Sequence, residues 1–77
     1  MNTLIDTPAS ARHDNGDIIV TMSSGFEFVF PCSDYPRLAA ASAGQRSQME
    51  LSPLGIHWPE IDEDLSIAGL LREHAKR

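Results

Sequence analysis

The sequence predicts an α+β fold: a four-stranded antiparallel sheet, in the chain order ββαββα, with helices packed on one face. Four patterns predict it. Residues 17–22 are rich in β-branched side chains, and residues 26–30 alternate apolar and polar, as half-buried strands do. Residues 55–58 alternate again, and apolar residues near the end recur at helical spacing. The length of 77 residues supports one domain with one core.

The first hairpin is predicted within residues 17–30. Residues 1–16 show little periodicity, so they are expected to form a flexible N-terminal arm, with room for one extended stretch, ending in a turn at Gly16, where glycine can adopt a positive φ. The single α+β domain is therefore assigned to residues 17–77. The segment Ser-Ser-Gly at 23–25 makes the tight turn between the two strands.

A helix is predicted after the first hairpin. Pro31 ends the second strand, because proline cannot donate to a sheet ladder. Ser33 or Asp34 is expected to cap a helix over residues 37–41 that buries Leu38.

A second short helix is predicted over residues 43–48. Ser42 and Gln45 match a capping box, in which the serine hydroxyl accepts the N3 amide and the glutamine reaches back to the N-cap amide. The helical region is therefore expected to be broken in two.

Residues 47–51 and 55–58 are predicted to form the second hairpin, around a turn that contains Pro53. In the second of these strands Ile56 and Trp58 are expected to face the core and His57 the solvent, and Pro59 ends the strand.

The last helix is predicted to cover the sheet. Ile67, Leu70, Leu71 and His74 fall at i, i+3, i+4 and i+7, which places them on one face. Ser66 is its expected N-cap.

Composition limits the classes of function. The formal charge of −5 makes direct nucleic-acid binding unfavourable, because phosphate contacts need clustered Lys and Arg. No apolar run is long enough to span a membrane, and the N-terminus does not have the pattern of a secretory signal. The single cysteine fits a reducing compartment, so a cytoplasmic location is expected. A domain this small buries a limited core, so a protein partner or a homodimer would add to its stability.

The residues 60–64 form an acidic turn with four carboxylates, those of Glu60, Asp62, Glu63 and Asp64. Three explanations stay open. The carboxylates can favour the dipole of the last helix, or form a surface that recognises a basic partner. A calcium loop is the third, although the glycine and the closing glutamate of an EF-hand are missing.

The predicted fold places aromatic and basic residues near this acidic turn. Trp58 is either a lid on the core or, if partly exposed beside Tyr35, a binding hot spot. Arg37 and Arg46 either pair with the acidic turn or contribute to a mixed-charge contact surface.

Catalysis, a cofactor and a metal are not expected. Cys32 lies near a predicted helix N-terminus, where a thiolate is stabilised, and His13 or His57 could serve as its base. However, the chain contains neither a nucleophile motif nor a glycine-rich phosphate loop. His57 has no second ligand at metal spacing.

A large part of the chain resembles the family called domain of unknown function 2442, over roughly residues 17–71. The resemblance is carried by Tyr35, Pro36, Arg37, Leu38, Arg46, Met49, Glu50, Leu51, residues 55–67, Leu70 and Leu71. It implies a small bacterial or phage α+β domain with no assigned catalytic residues, whose relatives look like members of toxin–antitoxin-style gene pairs. The turn at 23–25 departs from the Asp-Gly-Arg of the family, and Cys32 is not a family feature.

The leading hypothesis is therefore a non-catalytic protein-interaction module, the antitoxin-like member of a gene pair, whose basic partner is encoded by an adjacent gene. Its predicted contact residues are Tyr35, Arg37, Trp58, Glu60, Asp62, Glu63 and Asp64. The alternative is a transcriptional-regulator-like accessory protein that binds DNA, supported by the basic C-terminal tail. A hydrolase or redox protein that uses Cys32 is a third hypothesis.

Overall fold

The computed structural model describes residues 6–75 and contains two three-stranded antiparallel sheets rather than one four-stranded sheet. The first sheet comprises β1 (Pro8–Asp14), β2 (Asp17–Met22) and β3 (Glu27–Pro31), in that spatial order. A single 3₁₀ turn (Cys32–Asp34) leads to the helices α1 (Pro36–Ala39) and α2 (Ala43–Ser47). The second sheet comprises β4 (Glu50–Leu51), β5 (Gly55–Trp58) and β6 (Glu63–Ser66), and α3 (Ile67–His74) follows. The mixed α and β content is confirmed, whereas the predicted single sheet is wrong.

Strand β1 lies within the segment 1–16 that is predicted to be a flexible arm. It pairs with β2 across a turn in which Asn15 and Gly16 have positive φ angles of 51° and 87°, so the expected turn at Gly16 is present. The sequence allows one extended stretch in the arm but does not locate it, because only one side chain of the central part of β1, Ala11, packs on the core. The sequence of β1 therefore shows almost no alternation of apolar and polar residues. Residues 1–5 of the predicted arm lie outside the described residues.

The predicted first hairpin, β2–β3, is confirmed. Its turn is stabilised by hydrogen bonds to Asp6, a residue outside the hairpin. The N–H of Met22 donates to the carbonyl of Phe26 (2.7 Å). The Asp6 carboxylate accepts hydrogen bonds from the Ser24 hydroxyl (2.6 Å), the Ser24 N–H (2.9 Å) and the Ser23 hydroxyl (3.0 Å). These bonds lower the pKa of Asp6, with the Ser24 hydroxyl as the largest cause. Asp6 thus ties the chain before β1 to the turn between β2 and β3.

The helical region differs in its first cap. Ser33 and Asp34 belong to the 3₁₀ turn, and the N-cap of α1 is Tyr35, whose side chain makes no capping bond. The prediction of a Ser33 or Asp34 cap is therefore wrong. The capping box of α2 is confirmed: the Ser42 hydroxyl accepts the Gln45 N–H (3.1 Å), and the Gln45 side chain accepts the Ser42 N–H (3.0 Å).

Strand β6 was not predicted, because residues 60–66 read as an acidic turn and the start of a helix. Asp and Glu are poor strand formers, and only Leu65 of β6 is an apolar side chain. Pairing with β5 nevertheless places Ile56 opposite Leu65 and Trp58 opposite Glu63. The predicted strand over 47–51 is shortened to β4, because residue 47 still belongs to α2.

The core forms where both sheets meet α3. Helix α3 contacts β3 of the first sheet and both β5 and β6 of the second. As predicted, Ser66 caps α3 by accepting the Gly69 N–H (3.0 Å), and Ile67 and Leu70 are buried. The buried apolar side chains are Ile18, Val20, Met22, Phe28, Phe30, Cys32, Leu38, Ile56, Trp58, Ile67 and Leu70.

Trp58 is the largest fully buried side chain of this core, with 0% of its surface exposed. Its indole N–H donates to the backbone carbonyl of Arg46 (3.0 Å). The Arg46 guanidinium in turn donates to the carbonyls of Leu38 (2.9 Å) and Ala39 (3.1 Å). Strand β5, α2 and the end of α1 are therefore held together by one continuous chain of hydrogen bonds.

We expect Trp58→Phe to lower the free energy of unfolding by about 2–4 kcal/mol, because it removes buried apolar surface and leaves the Arg46 carbonyl without its donor. Urea or thermal unfolding followed by circular dichroism measures this loss. The matched control is Leu54→Ala at a side chain that is 81% exposed, which should change the free energy of unfolding by less than about 0.5 kcal/mol. Equal effects of the two substitutions would contradict the contribution of the buried Trp58 side chain to stability.

The Asp6 bonds predict a pH dependence with a definite sign. Because the folded-state pKa of Asp6 is lowered, its carboxylate stabilises the fold above the unfolded pKa, near 3.8, and this contribution disappears as the pH falls through the lower folded pKa. We expect the stability difference between the wild type and Asp6→Asn to be constant near pH 7 and to shrink below about pH 4.

Denaturant unfolding at a series of pH values measures this difference. Asp14→Asn is the control for the loss of one carboxylate, because the Asp14 side chain is exposed and accepts no hydrogen bond within residues 6–75. A pH dependence as large in this control as in Asp6→Asn would show that it does not arise from the Asp6 hydrogen bonds. A stability difference between the wild type and Asp6→Asn that is equally large at pH 3 and pH 7 would contradict the lowered pKa of Asp6.

Candidate functional site

The acidic stretch forms the tip and the outer strand of the β5–β6 hairpin. Asp62 lies in the turn with a φ of 53°, a left-handed conformation that aspartate tolerates better than most residues. The Arg37 guanidinium donates to the Asp62 carbonyl and thereby fixes the turn. Helix α3 begins only at Ile67, and its first turn contains no acidic residue. The explanation of the carboxylates as a helix start is therefore wrong.

Strand geometry separates two neighbouring carboxylates onto opposite faces. Glu63 lies opposite Trp58 on the inner face, where its side chain is 16% exposed and 3.8 Å from the Arg37 guanidinium. Asp64 lies opposite His57 on the outer face, where its Oδ1 is 2.8 Å from His57 Nδ1. Adjacent residues of a strand point to opposite sides, which explains the separation.

Arg37 and Tyr35, two further members of the predicted contact set, also make intramolecular contacts. Arg37 pairs with Glu63 and the Asp62 carbonyl, as one of the two alternatives for this residue predicts. The Tyr35 hydroxyl is 2.7 Å from His74 Nε2, and its ring meets the ring of Phe30 edge-on at 5.6 Å.

The pKa of the Tyr35 hydroxyl is raised, above all by burial, and then by the negative charges of Asp34, Glu73 and Glu63. At neutral pH this hydroxyl is therefore a neutral partner of His74.

The structure distributes the seven predicted contact residues over four places. Tyr35, Arg37, Asp62 and Glu63 belong to one cluster around α1 and the hairpin tip. Trp58 is a lid within the core and offers no surface to a partner. Glu60 is exposed at the tip, and Asp64 lies on the outer face of the second sheet. They do not make one continuous site.

A different surface has the shape of a binding site: an open groove of about 430 Å³ on the second sheet. Among its lining residues are Glu50, Leu51, Leu54, His57, Asp64 and Leu65. The strand register aligns Glu50, His57 and Asp64 in one row across β4, β5 and β6. Gly55 at one end is required by close packing, because a Cβ there would lie 2.7 Å from the Leu65 carbonyl oxygen.

The most exposed apolar side chains of the groove lie at the end of β4 and in the loop between β4 and β5. Leu54 is 81% exposed and Leu51 is 36% exposed, the first being the most exposed large apolar side chain of residues 6–75. The groove therefore combines acidic groups with exposed apolar side chains, which can meet a basic and partly apolar segment of another protein.

Sequence reasoning found only part of this groove. The alternation of residues 56–58 placed His57 outward, and the structure agrees, because its side chain is 35% exposed beside Asp64. Glu50, Leu51 and Leu54 were not identified as candidates. These residues could not be identified because β6 is not predicted from the sequence. Without the pairing of β5 with β6, no pattern places His57 opposite Asp64.

Chemistry at Cys32 is disfavoured by its position. The thiol is buried, and burial is the main cause that raises its pKa; the charge of Arg46 opposes this rise and that of Asp17 adds to it. The expected stabilisation of a thiolate at a helix N-terminus is thus outweighed by desolvation.

Residues 6–75 contain no group of three or more His, Cys, Asp or Glu side chains placed to hold a metal ion. Within the same part of the chain, every helix is too short or too polar to cross a membrane.

Comparison with known proteins gives a family assignment and one similar solved structure. The family model described as protein of unknown function (DUF2442) matches residues 8–76. A crystal structure of a protein of unknown function from Rhodospirillum rubrum ATCC 11170, determined at 2.75 Å resolution, superimposes with a TM-score of 0.81. Its sequence is 33% identical, and the match covers 88% of this chain and 87% of that chain. No curated protein sequence matches the chain.

The match begins at the first residue of β1, so the family includes the strand that the sequence patterns did not reveal. It also covers both sheets and α3. The chain therefore belongs to the DUF2442 family of proteins of unknown function.

Proposed function

We propose that the domain is a small, non-catalytic protein-interaction module whose groove on the second sheet receives a basic, partly apolar segment of a cytoplasmic partner protein. The observation that carries the proposal is the groove itself, in which Glu50 and Asp64 lie beside the exposed Leu54. A lysine or arginine of the partner would meet the carboxylates, and an apolar neighbour would cover Leu54.

The net negative charge of the domain supports the proposal of a basic partner. The net charge of −5 steers basic proteins toward the domain and raises their association rate, most strongly at low salt. Glu60 and Asp62 are exposed at the hairpin tip and add to this field without lining the groove.

The two serines that line the groove with His57 support a non-catalytic role, because their hydroxyl groups make hydrogen bonds elsewhere. A His–Asp pair becomes catalytic when the histidine activates a nucleophile within hydrogen-bond reach. The Ser52 hydroxyl is instead engaged with backbone groups of Leu54 and Gly55, and the Ser66 hydroxyl caps α3. Neither serine of the groove makes a hydrogen bond to His57.

The antitoxin-like role is the more specific part of the proposal. It rests on the resemblance to domains that occur in toxin–antitoxin-style gene pairs, together with the acidic charge that would neutralise a basic partner. The partner would then be the product of the adjacent gene.

The alternative of a DNA-binding accessory protein gains no support from the arginines of residues 6–75. Arg37 is held by Glu63 and the Asp62 carbonyl, and Arg46 by the carbonyls of Leu38 and Ala39. Arg12 and Arg72 are exposed but lie on different elements, β1 and α3, so phosphate contacts would rest on isolated cations.

We expect Glu50→Arg combined with Asp64→Arg to weaken capture of the adjacent gene's product about tenfold or more at low salt, because the substitutions reverse both charges of the groove. Titration of the purified partner, followed by calorimetry or fluorescence anisotropy, measures the dissociation constant. The effect should become smaller at 0.5 M salt.

The matched control is Asp14→Arg combined with Glu60→Arg, which makes the same change in net charge at exposed positions outside the groove. This control should reduce affinity only slightly through long-range attraction. Equal losses for the two double variants would show that net charge, and not the groove, attracts the partner, and would contradict the proposal.

A further inference from the structure

Strand β3 is an open edge of the first sheet. β2 pairs with its inner side, and no strand of residues 6–75 pairs with its outer side. The opposite edge strand, β1, has β4 and α2 packed against it. Helix α3 contacts β3 through inward-facing rings such as Phe30, which lies 5.4 Å from the ring of His74.

The backbone groups available on this edge can be identified from hydrogen bonds at both ends of the β2–β3 pair. The N–H of Met22 donates to the carbonyl of Phe26 (2.7 Å), and the N–H of Cys32 donates to the carbonyl of Gly16 (2.9 Å). Bonding in an antiparallel pair alternates residue by residue, so even-numbered residues of β3 face β2. Glu27 and Val29 therefore direct their N–H and C=O groups outward.

The side chains on this edge do not protect it. Edge strands are commonly guarded by charged side chains that project over the edge. Glu27 is the only charged residue of β3, and its Oε2 accepts a hydrogen bond from the Thr21 hydroxyl (2.8 Å), which draws the carboxylate back over β2. Val29 is 47% exposed, and the Phe26 ring just before the strand is 42% exposed.

We propose that β3 pairs antiparallel with β3 of a second copy of this chain, about a two-fold axis at Phe28, to form a continuous six-stranded sheet. This homodimer uses a surface distinct from the groove and does not depend on the proposed function. An antiparallel pair of identical strands is self-complementary about a two-fold axis, as closed dimers require.

Hydrogen bonding and charge select this register. With the axis at Phe28, Glu27 lies opposite Val29 of the partner subunit, so all outward N–H and C=O groups of both residues are paired. With the axis at Val29, Glu27 would lie opposite Pro31 of the partner subunit, which has no N–H to offer its carbonyl. The first register also opposes no like charges, and it covers the exposed Phe26 ring.

Two substitutions of opposite charge at one position test the proposal. Val29→Glu places glutamates opposite each other twice in the dimer, whereas Val29→Lys places lysine opposite Glu27 of the partner subunit twice. Sedimentation equilibrium of the full chain should show a concentration-dependent dimer for the wild type. The dissociation constant should rise about tenfold or more for Val29→Glu and stay within about threefold for Val29→Lys. Adding Glu27→Lys to Val29→Glu should restore the dimer.

Circular dichroism of each variant checks that the exposed substitution leaves the fold intact. A wild type that remains monomeric up to about 1 mM overturns the proposal, and so does dissociation that is equal for the two substitutions. Hydrogen exchange distinguishes a second copy from cover by the chain itself. The amides of Glu27 and Val29 should be protected only at concentrations where the dimer forms, and protection in the dilute monomer would overturn the pairing.

Discussion

The buried indole of Trp58 and its hydrogen bond to the Arg46 carbonyl hold the second sheet to the rest of the domain. A tryptophan buries a large apolar area but carries an N–H that must find an acceptor in the core. The Arg46 carbonyl supplies that acceptor, and the Arg46 guanidinium then binds the carbonyls at the end of α1. The short helices α1 and α2 are too small to be stable alone, so these contacts determine where they lie.

The same tryptophan determines which face of the β5–β6 hairpin is free. Because Ile56 and Trp58 are buried, His57 between them must point outward. Pairing with β6 then directs Glu63 inward to Arg37 and Asp64 outward to His57. The acidic stretch is thereby divided, with one carboxylate fixing the fold and the next one lining the groove that we propose as the docking surface.

The elements predicted from the sequence are those whose signal is local. The β2–β3 hairpin has strong alternation, the capping box of Ser42 and Gln45 spans four residues, and Ser66 precedes a clear helical pattern. Strands β1 and β6 could not be predicted, because they are edge strands with few buried apolar side chains and owe their conformation to pairing with β2 and β5. The groove was missed for the same reason, since the alignment of Glu50, His57 and Asp64 exists only after three strands have paired.

Quenching of tryptophan fluorescence by acrylamide tests this account most directly, because Trp58 is the only tryptophan of the chain. We expect blue-shifted emission and weak quenching, both in the wild type and after Glu50→Arg combined with Asp64→Arg, since that double substitution changes the outer face alone. Red-shifted emission with strong quenching in the wild type would place Trp58 at the surface, and it would contradict the division of the hairpin into a core face and a docking face.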